Sequence, residues 1–200
     1  MNVKKFGCVK PQAHRGFKKG YASFHNTDAP QFIIDFMNEH SSYRLIICGH
    51  SLGGAMAQFA GLEFYLAGLS PTIFTYGAPK AFNKNLAHWI DSEFSSNFVG
   101  GIVSNRAVMY RVVTSRDHVP LLPLYYQGFS HIGTEICIKV AGSKIKAYSI
   151  HGSFKTSRED RSMKNRLKEF LSHRNPKQGI HALLDTKSHK HYPIHMTCKK

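Results

Sequence analysis

The sequence predicts an α/β domain, with a mostly parallel central sheet flanked by helices. Two observations predict it. Short β-branched apolar runs alternate with stretches of helical apolar periodicity, the pattern of strands joined by crossover helices. One of those runs, Leu45-Ile46-Ile47-Cys48, passes through Gly49-His50-Ser51-Leu52-Gly53 straight into an apolar helix, a strand–corner–helix arrangement. At 200 residues and 42% hydrophobic content, the chain suffices for one core and hardly for two. Residues 1–200 are therefore read as a single domain, with irregular ends at 1–12 and 177–200.

The elements follow in order. Phe17, Tyr21 and Phe24 share a helical face. Asp28 is a plausible N-cap with Pro30 in the first turn, and Phe32, Ile33, Phe36 and Met37 make the apolar face of a second helix. Leu45 to Cys48 is wholly apolar, as in a strand covered on both faces. The helix from Leu52 stops at Gly68. Thr72 to Tyr76 is β-rich and ends at Gly77-Ala78-Pro79. Leu86, Trp89, Ile90 and Phe94 suggest an amphipathic helix, and Val108 to Thr114 the next strand. Thr134 to Val140 and Lys144 to Ile150 flank Gly142 as a hairpin. Met163, Leu167, Phe170 and Leu171 mark a late helix before Pro176.

The elbow is the chemical centre of the chain. Gly49-x-Ser51-x-Gly53 has a mechanical logic: a strand turning directly into a helix crowds its own backbone, so the residues flanking the corner lack bulk. The corner lifts the Ser51 hydroxyl clear of the sheet, and the helix N-terminus behind it favours negative charge there. A serine hydroxyl needs a histidine to take its proton, and that histidine works best when a carboxylate holds its tautomer. On such a fold the partners follow in the order serine, acid, histidine. Asp117 lies just after the strand ending at Thr114, which makes it the acid candidate among only twelve acidic residues.

With these residues in view, the chain resembles the class 3 lipase family. Gly49 to Ala55 is similar to the family's elbow, and Ala13-His14-Arg15-Gly16-Phe17 to its His-x-Gly-Phe segment. Thr75-Tyr76-Gly77-Ala78-Pro79-Lys80, Tyr110 to Pro123 and Phe129 to Glu135 resemble three further family blocks, in the family's order. The resemblance implies an α/β-hydrolase fold and hydrolysis of lipid acyl esters by a Ser-Asp-His triad. It makes Ser51 the nucleophile and Asp117 the acid. The family histidine lies late, with an aromatic residue three positions on. His189, followed by Tyr192, meets that spacing, with His191, His195 and His181 as competitors and His151 too early in the chain. The Leu52 N–H is the one oxyanion donor that can be assigned. The family's second donor lies on a strand well before the His-x-Gly-Phe segment, so the resemblance implies an N-terminally truncated lipase. The alternative function is a catalytically impaired remnant that binds lipid or protein.

Composition bounds partners and place. The formal charge is +15 with a further thirteen histidines. The basic residues are spread thinly, without the aromatic–basic stripe of a nucleic-acid site, so no specific nucleic-acid partner is expected. The charge does suit an anionic membrane surface, and the expected substrate is a lipid ester at a lipid–water interface. No cofactor is expected, since the proposed chemistry needs no metal or organic group. His189, His191, His195 and Cys198 have ligand-like spacing, which a His-rich solvated tail explains equally well. There is no secretory signal pattern and no apolar run of membrane-spanning length, so a cytoplasmic, reducing compartment is expected. Cys48 and Cys137 read as buried small hydrophobes, and Cys8 and Cys198 as a possible pair joining the ends.

Overall fold

The computed structural model describes residues 7–94, 107–114, 117–141, 144–151, 189–190 and 192. The expected late helix over 163–171, the histidines His181, His191 and His195, Cys198 and most of the two expected irregular ends lie outside them. Two helices, α1 (Arg15–His25) and α2 (Ala29–Glu39), lead into strand β1 (Ile46–His50) and helix α3 (Leu52–Leu66). Then come β2 (Thr72–Tyr76), the short β3 (Phe82–Asn83), α4 (Lys84–Glu93) and β4 (Val108–Thr114). Two 3-10 turns, Val119–Leu121 and Tyr125–Gln127, precede β5 (Phe129–Ser130), β6 (Thr134–Ala141) and β7 (Lys144–His151).

The main sheet has the order β1-β2-β4-β6-β7. Its first four strands are parallel, and β7 returns antiparallel to β6, as the expected hairpin. His151 ends β7 opposite Glu135, away from the strand ends that carry Ser51 and Asp117. The core lies on one face of the sheet. Ile73 and Met109 are fully buried there among Phe59, Leu62 and Phe64 of α3 and Leu86 and Ile90 of α4. The small residues Ala55, Ala57 and Ala60 let α3 lie close against the strands, and burying this set supplies most of the driving force for folding.

Capping sets the helix entries. The His14 Nδ1 accepts from the Phe17 N–H at 3.4 Å and begins α1, a cap the sequence reading missed. The Asn83 side chain accepts from the Leu86 N–H at 3.0 Å and begins α4. Asp28 precedes α2 as expected, but its side chain makes no capping bond.

Three expectations about burial are corrected. On α2 the stripe facing the core is Pro30, Ile33, Ile34 and Met37; Phe32 is 68% exposed, and Phe36 also faces out. The outward rings instead gather with His40 and Tyr43, which gives them apolar contact away from the core. Strand β1 is not covered on both faces: Ile46 is 60% exposed and Cys48 is exposed with it, while Leu45 and Ile47 pack on the core. β1 is an outermost described strand of the main sheet. Cys48 is therefore not a buried hydrophobe, whereas Cys137 is. Among the described residues no helix is long and apolar enough to cross a membrane.

Candidate active site

The site lies at the carboxyl ends of the parallel strands, where open α/β sheets place their ligands. Ser51 follows β1, Gly77 follows β2 and Asp117 lies three residues beyond β4. Ser51 is held at φ 56° and ψ −124°, a backbone region that a side-chain-bearing residue occupies only at a cost of about 1–3 kcal/mol. Its N–H donates to the Tyr76 carbonyl at 2.9 Å, which ties the corner to β2. At Gly49 an added Cβ would lie 2.3 Å from the Gly53 carbonyl oxygen, so nothing larger than glycine fits inside the bend. Leu52 is the first residue of α3, with its N–H among the four at a helix start that lack an intrahelical acceptor.

His189 sits in a short helical stretch with Lys190 and stands between the other two groups. Its Nε2 is 2.7 Å from the Ser51 Oγ, and its Nδ1 is 3.0 Å from the Asp117 Oδ2. The structure thus brings Ser51, Asp117 and His189 together, across 138 positions of sequence between the first and last. A proton on Nδ1, held by the carboxylate, leaves Nε2 free to accept from the hydroxyl.

Asp117 is buried, and its side chain is wholly withdrawn from solvent. Burial pushes its carboxyl up. The hydrogen bonds from His189, Tyr192 and the Val119 N–H outweigh that, and the group is held below the usual carboxylate range. The Tyr192 hydroxyl donates to Oδ2 at 2.6 Å and accepts from the Thr114 N–H at 3.2 Å. Burial, and then the Asp117 charge, push the Tyr192 phenol far above its ordinary range, so it stays a donor. Gly77, at φ +58°, makes room for this pair: a Cβ there would lie 2.6 Å from the Asp117 Oδ2 and 2.9 Å from the Tyr192 ring.

Two contacts escaped the sequence reading. Tyr192 served there only as a spacing mark for His189, yet it binds Asp117 itself. His50, next to Ser51, donates from Nε2 to the His189 carbonyl at 2.9 Å, and the two rings lie 4.6 Å apart. Its adjacency to Ser51 was the available signal, since a residue at the corner shares whatever approaches the serine.

Comparison with known proteins places the chain in a family. Residues 1–127 match the family profile described as Lipase (class 3). LIH1 of Saccharomyces cerevisiae is 28% identical over 157 residues, covering 76% of this chain and 47% of that protein. The lipase of Rhizopus niveus is 34% identical over 150 residues, covering 70% of this chain and 35% of that protein. The crystal structure of the lipase from Rhizopus microsporus var. chinensis superposes with a TM-score of 0.60 at 30% identity, over 72% of this chain and 47% of that one. The chain thus spans about half, or less, of the length of the relatives it matches. With its strand–elbow–helix and mostly parallel sheet, the chain belongs to the class 3 lipase family.

Proposed function

We propose that the protein is a serine ester hydrolase acting on lipid acyl esters. Ser51 is the nucleophile, His189 the general base and then acid, and Asp117 the group that orients the imidazole. As the Ser51 Oγ bonds to the ester carbonyl carbon, its proton passes to the His189 Nε2. The tetrahedral oxyanion faces the Leu52 N–H at the start of α3. Collapse breaks the bond to the alcohol, which leaves with the proton from Nε2. Water then attacks the acyl-enzyme with His189 again as base, releasing the fatty acid and restoring the Ser51 hydroxyl. The observation that carries this reading is the pair of contacts at His189, 2.7 Å to the Ser51 Oγ and 3.0 Å to the Asp117 Oδ2.

Acylglycerols are the expected substrates, with phospholipids next because the +15 formal charge favours an anionic interface. A fluorophosphonate probe and acyl esters of short and long chain provide the test. Wild type is expected to be labelled and to hydrolyse ester, and Ser51→Ala to do neither. Equal rates in the two proteins would remove the proposal. Labelling without turnover would favour the alternative, a binding module with impaired catalysis.

A further inference from the structure

Lys80 is among the largest side chains that are fully buried, at 1% exposure. An ammonium is withdrawn from water only where it is well hydrogen-bonded, because an unpaired buried charge costs several kcal/mol. This one reaches two carbonyl oxygens of the turn that follows the acid: Leu121 at 2.8 Å and Pro120 at 3.4 Å. The Lys80 backbone N–H donates to the Leu122 carbonyl at 2.7 Å. From the other side, the buried His131 places its Nε2 2.6 Å from the same Pro120 carbonyl.

The turn so held is short. Asp117 accepts from the Val119 N–H at 2.9 Å, and the 3-10 turn Val119–Leu121 closes with the Leu121 N–H on the His118 carbonyl at 3.0 Å. Its carbonyl end points at Lys80 and His131. A cation at the carbonyl end of a helical turn is favourable. Burial, with the Arg111 and Lys80 charges nearby, holds His131 well below its ordinary range, so it meets Pro120 as a neutral N–H donor. Arg111 is itself paired with Glu135 at 3.2 Å.

We propose that Lys80 and His131 are positioning residues, which grip the carbonyls of Pro120 and Leu121 and thereby hold the Asp117 carboxylate against His189. The Lys80 half of the clamp shares its segment with Gly77. Gly77 clears space for the carboxylate and Lys80, three residues later, anchors the turn behind it, so a single segment after β2 sets the acid from both sides. The inference rests on the proposed roles of Asp117 and His189.

The test is Lys80→Met, with His131→Leu as the second variant. Two readouts separate positioning from bulk stability. The first is the downfield proton resonance of the His189 Nδ1–H, the signature of an imidazole–carboxylate bond. The second is the kcat and KM of enzyme counted by fluorophosphonate titration, at a temperature where melting shows the variant folded. Wild type is expected to show the resonance. Lys80→Met is expected to lose or broaden it, with kcat falling about a hundredfold, as a misplacement near 1 Å costs, and KM little changed. If Lys80→Met does not fold, His131→Leu carries the same comparison, with a smaller loss of kcat. A folded variant that keeps the resonance and the kcat of wild type overturns the clamp. A wild type that shows the resonance yet is neither labelled nor active would instead count against the proposed function and leave the clamp to be read from the resonance alone.

Discussion

At Asp117 several weak preferences add to one strong one. Burial opposes its charge, and three donors restore it. A carboxyl held below its usual range in the folded state contributes stability above the unfolded carboxyl's pKa, and that contribution is lost as pH falls through the lowered value. Tyr192→Phe removes one charge-assisted donor from a group with no access to water. It is expected to cost about 1.5–3 kcal/mol of unfolding free energy at neutral pH. The deficit against wild type should shrink as acid protonates Asp117, and urea melts at neutral and acid pH would check both the size and the trend. That Ser51 and Asp117 lie at strand ends was legible from sequence, because each follows a recognisable strand. His189 was legible only as one of several late histidines, since nothing local separates it from its neighbours.

Among the elements, α2 and β1 show how the surroundings override local pattern. Both carry apolar residues on more than one stripe, so composition alone does not say which stripe meets the core. On α2 the stripe through Ile33 and Ile34 faces the core, and the aromatic stripe through Phe32 does not. Phe32→Lys is therefore expected to change stability by no more than about 0.5 kcal/mol, as exposed substitutions do. Ile33→Ala should cost on the order of 1–2 kcal/mol, somewhat less than a fully buried isoleucine. Urea denaturation of the two variants decides the matter, and equal losses would contradict the orientation of α2. On β1 the exposed Cys48 contrasts with the buried Cys8 and Cys137. A thiol reagent applied to the folded protein should take up one equivalent fewer in Cys48→Ser than in wild type. Cys8→Ser should leave the fast uptake unchanged.

For the whole molecule, the positive charge and the placement of the site make separate contributions. The +15 formal charge acts at a distance and does not depend on the fold. Binding to vesicles containing anionic phospholipid should exceed binding to neutral vesicles and should weaken as salt is raised. Ser51→Ala should bind as wild type does, since the charge and not the serine drives the encounter. Sedimentation with vesicles measures all three comparisons. A mostly parallel sheet was readable in outline, from the alternation of apolar runs and helical periodicity, whereas the order of its strands came from the fold. By itself the sequence determined the elbow, the strand that feeds it, the hairpin and the place of Asp117 just after β4, because each depends on residues within a few positions of one another. Only the tertiary structure decided which histidine meets Ser51, that Tyr192 and Gly77 frame Asp117, and that Lys80 and His131 grip the turn behind it. Those contacts join residues 11 to 138 positions apart, and spacing along a chain carries no information about distance once the chain has crossed a sheet.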